Sequence, residues 1–299
     1  MKPHPTDAAP HPFDALTPDL VLDALAGVGC LGDGRLTALN SFENRVYQVH
    51  LEDPVGDGGP RVVVAKFYRP GRWSAAQILE EHGFAAELAA AEVPVVAPLA
   101  LAGRTLHHHG GFDFSISPWR GGRAPELDDF EVLEWTGRFL ARLHNVGAAR
   151  PFSERPSIGL ESFAREPRDW LLAHDAVAPE VRSEWRALLD DAIALIAQHD
   201  PLTLASRGET AIIRLHGDCH PGNILWTPLD RPQPGPHFVD LDDARSGPAV
   251  QDLWMLLSGD RRQRTAQLGA LLDGYTELRD FDPRELALIE PLRTLRLIH

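Results

Sequence analysis

No run of apolar residues in this chain approaches the ~20 that a helical membrane span requires, and the longest, such as Ala192 to Ala197, stop far short. The first dozen residues carry Pro, His and Asp without an apolar core, so no secretion signal is visible and 1–12 is expected to be a loose tail. Cysteine is scarce. Cys30 and Cys219 make neither a disulfide framework nor a metal quartet, in keeping with a reducing cytoplasm. Positive charge is also in deficit: a formal net charge of −14 argues against a general nucleic-acid binder, which presents a basic face. The charge is compatible with a cationic substrate but identifies none, because solubility alone explains it. No internal repeat is present.

What the chain does have is enough apolar content, 43% of 299 residues, to bury a substantial core. Thr17 before Pro18 reads as a helix cap for a helix over 16–26. Residues 35–39, 45–51 and 61–67 read as strands, with a Gly/Pro/Asp turn over 53–60. A helix is expected over 75–91, then strand-like pieces at 99–101 and 112–116. His107-His108-His109-Gly110-Gly111 fits a hairpin turn better than a metal site. Gly121-Gly122 marks the best boundary. Beyond it, Phe130, Leu133, Gly137, Leu140 and Leu143 recur at helical spacing. Further helices are expected over 167–174, 179–199, 249–257, 262–278 and 283–299. The fold class is α+β and bilobal, with a strand-rich unit over 13–118 and a larger helical unit over 119–299.

The chemistry is concentrated in Arg214-Leu215-His216-Gly217-Asp218-Cys219-His220-Pro221-Gly222-Asn223 and Phe238-Val239-Asp240-Leu241-Asp242. Asp218 precedes Asn223 by five positions, and Asp240 follows after a hairpin-sized interval. This spacing suits phosphoryl transfer, in which one Asp orients a hydroxyl while an Asn and a second Asp hold magnesium against ATP phosphates. Singly, each of these residues is more often a turn former; the whole set beside two apolar strands is much rarer. Asp242 and Asp243 are candidates to support the metal or a second ion, though loop acids are commonly just solvated. His216 and His220 are expected to brace the loop. Gly217 cannot play the part of the arginine that pairs with a phosphorylated activation loop, so no switch of that type is expected. Asp252 could hold the loop through backbone N–H groups. Cys219 is expected to be a buried filler.

In the strand-rich unit, Lys66 ends the third strand, where a kinase keeps its phosphate-binding lysine. Glu80, Glu81 and Glu87 on the following helix are candidates to hold it, with Glu81 preferred. The segment Asn40-Ser41-Phe42-Glu43-Asn44 has no glycine and departs from the Gly-x-Gly-x-x-Gly pattern. Ser41 is a candidate phosphate contact, with a plain hairpin turn as the alternative. Trp119 is a weak candidate for touching adenine.

Residues 39–48, 66–73, 77–82, 214–226 and 238–257 together carry a family likeness. On them the chain resembles the aminoglycoside phosphotransferase/choline kinase branch of the kinase-like superfamily, and more closely its bacterial stress-response kinases. The resemblance runs from Phe13 to His299. It implies an ATP- and Mg2+-dependent serine/threonine protein kinase that autophosphorylates and works as a cytoplasmic monomer on proteins, with no nucleic acid and no membrane as partner. Carried over by motif, Asp218 is the proton acceptor, Asn223 and Asp240 bind magnesium, and Ser41 lies at the ATP site. Such proteins run on further, whereas Leu295 to His299 stop inside a helical pattern, so part of the helical unit is expected beyond His299. Two rivals stand beside this reading: a small-molecule kinase for an amino sugar, choline-like alcohol or homoserine, and a non-catalytic nucleotide-binding scaffold.

Overall fold

Thr17 accepts from the Leu20 amide at 3.2 Å and starts α1 (Pro18–Ala26), with Pro18 where its missing N–H leaves no bond unmade. In the computed structural model, which describes residues 11–299, α1 belongs to a unit made of the chain up to Ala86 together with Val96–Arg120. Its strands β1 (Gly32–Leu39), β2 (Arg45–Leu51), β3 (Val62–Phe67), β4 (His107–His109) and β5 (Phe112–Pro118) form one antiparallel sheet in the order β1-β2-β3-β5-β4. Period-two alternation explains the sheet's two faces. Val63, Ala65 and Phe67 of β3 are buried, while Val62, Val64 and Lys66 on the other face are half-buried. The buried face packs with Val21, Leu25, Cys30, Val49, Phe114 and Ile116, and Phe13 stacks on Phe112 at 5.8 Å. Helix α2 (Ala75–Ala90) opens on a reciprocal cap: Ser74 Oγ accepts from the Gln77 amide at 3.2 Å, and Gln77 Oε1 accepts from the Ser74 amide at 2.9 Å.

The second unit, Glu87–Val95 with Gly121–His299, is mainly helical. It contains α3 (Phe130–Gly147), α4 (Glu166–Ala173), α5 (Arg182–Ile196), α6 (Pro201–Ser206), α7 (Val250–Trp254), α8 (Arg261–Thr276) and α9 (Ile289–Ile298). Two short antiparallel pairs accompany them: β6 (Ile213–Arg214) with β9 (Ser246–Gly247), and β7 (Ile224–Thr227) with β8 (Gly235–Phe238). Helices α3 and α8 meet along a glycine seam. A Cβ on Gly137 would lie 2.1 Å from the Leu271 carbonyl oxygen, and one on Gly274 would lie 2.0 Å from that of Glu134. Buried Leu133, Leu140 and Leu271 close around the seam. Arg214 is almost fully buried; its guanidinium donates to Glu87 at 2.8 Å and to the Val146 carbonyl at 2.9 Å. A buried cation is tolerable only with such acceptors. Burial pushes the Glu87 carboxyl up, but hydrogen bonds from Arg214 and Arg150 outweigh it and hold the group below the ordinary carboxylate range.

The α+β class is the expected one, whereas the units differ from the expected 13–118 and 119–299 in that Glu87–Val95 goes with the helical unit. Other differences lie at element ends. The segment 99–101 makes only a bridge from Leu101 to Arg104 and a bond from the Leu99 amide to Ile116. Residues 283–288 are a 3-10 turn before α9, because Pro283 and its cap Asp282 begin the turn separately. The π-turn at Glu161–Arg165, helix α6 and the β6–β9 pair were not expected from the sequence. Among the described residues, no helix is long and apolar enough to cross a membrane.

Two glycines of α8 should respond oppositely to alanine. Gly274→Ala forces α3 and α8 apart and should cost about 1–3 kcal/mol. Gly269→Ala, whose Cβ meets nothing within 4 Å, should stabilise by roughly 0.5–1 kcal/mol. Equal urea midpoints for the two variants would refute the seam. The Glu87–Arg214 pair predicts an acid limb. Its folded carboxyl pKa is depressed, so its stabilisation is complete above the unfolded value of about 4.3 and is lost as pH falls through the folded value. The stability gap between wild type and Glu87→Gln should therefore hold steady near neutrality and shrink in acid; a gap constant down to about pH 3 would contradict the pairing.

Candidate active site

The loop between β6 and β7 is held from beneath by one buried carboxylate. Asp252 Oδ2 accepts the His216 amide at 2.8 Å, and Oδ1 accepts the Gly217 amide at 2.9 Å. His144, on α3, donates from Nε2 to Asp252 Oδ2 at 3.1 Å, and its Nδ1 lies 2.8 Å from the Tyr275 hydroxyl of α8. The Asp252 carboxylate can only accept, so Nε2 carries the hydrogen, and Nδ1 of the neutral ring is left to accept from the Tyr275 hydroxyl, whose pKa burial raises. Asp252 thereby selects the tautomer protonated on Nε2. The expectation that Asp252 grips the loop through backbone N–H groups is met, and His144 and Tyr275 are the partners that sequence reasoning missed.

Gly217 follows from the same packing. It sits at φ +83°, and a Cβ there would lie 2.0 Å from the Asp243 carbonyl oxygen, so no side chain fits where two loops touch. His216 donates from Nε2 to the Val239 carbonyl at 2.9 Å, joining those loops as a brace. His220 Nδ1 accepts the Gly222 amide at 3.0 Å, capping the turn that leads to Asn223. Cys219 is fully buried, and burial above all, with Asp252 and Asp218 adding to it, pushes its thiol up. It is a filler.

Asn223 and Asp240 come from the two strands of one hairpin. Ile224 pairs with Phe238, and the Val239 amide donates to the Asn223 carbonyl at 3.0 Å, so Asn223 and Asp240 leave the hairpin at the same end. The Asn223 amide NH2 donates to the Asp218 carbonyl at 3.0 Å and reaches Asp218 Oδ2 at 3.4 Å. A carbonyl can only accept, so the NH2 must face Asp218 and Oδ1 is left to face elsewhere. Asp240 adopts the left-handed conformation, φ 59° and ψ 64°, which Asp tolerates better than most residues. Buried Arg155 secures the turn after it by donating to the carbonyls of Asp242 and, at 2.6 Å, Ala244. The Asp218 carboxylate is ion-paired through Oδ1 with Arg296 of α9, and His220 Nε2 stands 3.7 Å from Oδ2. Among the described residues, no three of His, Cys, Asp and Glu gather as a metal group.

The other candidates lie in the sheet unit. Lys66 pairs across strands with Val46 and Ser115, and its ammonium stands 5.3 Å from the centroid of the Tyr68 ring. The Tyr68 hydroxyl is bonded to His82 Nε2 at 2.8 Å and Ser115 Oγ at 3.0 Å, and His82 Nδ1 to Thr105 Oγ1 at 2.9 Å. Of the three acids considered for Lys66, Glu87 is engaged with Arg214 and Arg150, and Glu81 is buried beside His82 on α2. Ser41 is half-buried in the β1–β2 connection. That turn is pinned without glycine, by Asn44 Oδ1 accepting the Arg69 amide at 3.1 Å, and Phe42 stands almost fully exposed at its tip. His107–His109 form strand β4, turning through Gly110-Gly111 into β5.

A model of the phosphotransferase enzyme family matches residues 35–289. The chain belongs to that family. Its relatives include stress response kinase A of Escherichia coli strain K12, 46% identical over 287 residues that cover 96% of this chain and 82% of that protein. A Salmonella typhimurium protein named serine/threonine protein kinase RdoA is 47% identical, with the same 96% and 82% coverage. Among solved structures, an amicoumacin kinase in complex with AMP-PNP, Ca2+ and Ami superposes with a TM-score of 0.74 at 20% identity, covering 94% of this chain and 84% of that one. A microcompartment-associated aminopropanol kinase gives 0.68 at 21%, covering 94% and 87%. At those identities the two structures share the fold of this phosphotransferase, the α+β kinase-like fold. The chain is a phosphotransferase, hence an enzyme.

Replacing Asp252 by Asn turns one loop-facing oxygen into an NH2 opposed to N–H donors, at a cost of roughly 3–5 kcal/mol for a broken buried network. The amides of His216 and Gly217 should then exchange with deuterium faster than those of β2. Unchanged protection would show that the carboxylate does not hold the loop.

Proposed function

We propose that this phosphotransferase is an ATP- and magnesium-dependent kinase that phosphorylates serine and threonine hydroxyls of proteins, itself included. The observation that carries the reading is the convergence around one hairpin end: the Asn223 amide reaches back to Asp218, and strand pairing brings Asn223 level with the residue before Asp240. Asp218 accepts the hydrogen bond of the acceptor hydroxyl and takes its proton as the oxygen bonds to the terminal phosphorus and the bond to the ADP oxygen breaks. Positioning and electrostatics dominate this reaction. The donor set fits magnesium, a hard cation that keeps water and phosphate ligands and needs few protein oxygens. Asn223 Oδ1, with its NH2 already spent on Asp218, and the Asp240 carboxylate would hold the ion. When bound, magnesium neutralises the charge on the phosphate oxygens.

In the sheet unit, Lys66 would contribute its ammonium to the ATP phosphates, Glu81 would be the acid that steadies it, and Ser41 would add a hydroxyl. The names of the relatives support a protein acceptor and a role in stress response. A cytoplasmic, monomeric enzyme is part of the same proposal. The solved neighbours act on small molecules, by their names, and likeness at 20% and 21% identity speaks for the fold alone.

The test offers labelled ATP and magnesium with casein, a histone, and a panel of amino alcohols including aminopropanol and choline. Label on protein, including the enzyme, is the expected outcome; label on the small molecules alone would reject a protein acceptor, and no label anywhere would reject the kinase reading. Asp218→Ala should lower transfer by about 10²–10⁴-fold while sparing nucleotide binding. Asp240→Ala should weaken magnesium-dependent ATP binding, and an unaltered metal titration would remove it from the site.

A further inference from the structure

The arginines near Asp218 divide into two kinds. Arg155 and Arg245 are buried and committed to the fold. Arg155 donates to the carbonyls after Asp240, and Arg245 lies 4.7 Å over the Phe163 ring with Nη2 3.2 Å from His299. Arg296 differs. It rides on α9, a helix fixed by buried Leu292 and Leu295, and the acid of that helix, Glu290, pairs with Arg293. Arg296 instead crosses 78 residues of sequence to donate from Nη2 to Asp218 Oδ1.

Stability gives little reason for such a pair. With side chains 35% and 17% exposed, it is partly screened by solvent, and it costs an arginine its rotamer freedom. Geometry gives a better one. A carboxylate turns easily about its terminal torsion, where the energy wells are broad, yet orienting an acceptor hydroxyl needs one oxygen in one place. The contacts on Oδ2 are long, 3.4 Å from the Asn223 amide and 3.7 Å from His220, so the charged bond at Oδ1 sets the plane.

We propose that Arg296 is a positioning residue for phosphoryl transfer: by holding Oδ1 it fixes the Asp218 carboxylate so that Oδ2 is the oxygen presented to the acceptor hydroxyl. This rests on the role given to Asp218 above. Arg296 acts through that carboxylate and touches no reactant, so its loss lowers turnover without weakening ATP. The size expected is that of supporting partners elsewhere, roughly 10–100-fold.

The experiment compares wild type, Arg296→Met, Arg296→Lys, Asp218→Asn and the double variant Arg296→Met/Asp218→Asn, using labelled ATP and whichever acceptor of the panel above wild type labels best. Methionine keeps an unbranched apolar stem and removes the charge. Expected are a kcat for Arg296→Met at least about tenfold down, a KM for ATP within about twofold of wild type, and an intermediate kcat for lysine. In the Asp218→Asn background, where residual transfer is followed by long incubation, Arg296→Met should add no further loss. A kcat within about twofold of wild type, or above it, would overturn the proposal. So would an equal loss in both backgrounds, since a variant that merely misfolds is impaired whatever stands at 218. Asp218→Asn at full activity would sink the underlying reading instead, which separates the two failures.

Discussion

A carboxylate with no exposure to water must find its hydrogen bonds inside the protein, and Asp252 finds two of its three on the backbone of the loop that ends in Asp218. The third comes from His144, whose other ring nitrogen is bonded to the Tyr275 hydroxyl. The chain of dependence therefore runs from α8 through α3 to the loop. It also explains the glycine seam: α3 carries His144 and α8 carries Tyr275, and the two side chains meet at hydrogen-bond distance because Gly137 and Gly274 let the helix backbones come close. A loop positioned in this way is shaped by the core, and the carboxylate at its tip inherits that rigidity.

Much of this was legible before any coordinates, and the reason is locality. The Thr17-Pro18 cap, the alternation in β3, the apolar face of α3 and the His107–Phe112 hairpin are each written within a dozen residues. So is the Asp218–Asn223 spacing. Elements made by distant contacts were not legible. The two-residue strands β6 and β9 exist only because they pair with each other, and the π-turn at 161–165 has no periodic signature. The same limit applied to the site: His144 and Tyr275 are 131 positions apart, and Arg296 is 78 from Asp218, with no local pattern to join them.

The basic residues are almost all arginine. Of 29 basic residues only Lys2 and Lys66 are lysines. Arginine does the structural work, its planar fork suiting carbonyl and carboxylate staples such as those of Arg214 and Arg155. Lys66 lies half-buried on a strand face with its ammonium 5.3 Å from the centroid of the Tyr68 ring.

Sulfur chemistry is where the burial of the site loop has its widest reach. Peroxides attack thiolates, and susceptibility follows thiolate character and access. Cys219 adjoins Asp218 in sequence yet is sealed in the interior, Cys30 is sealed in the sheet unit, and burial keeps both thiols protonated. With both thiols sealed, an oxidant meets no exposed sulfhydryl on the native fold, and peroxide gains no foothold beside Asp218.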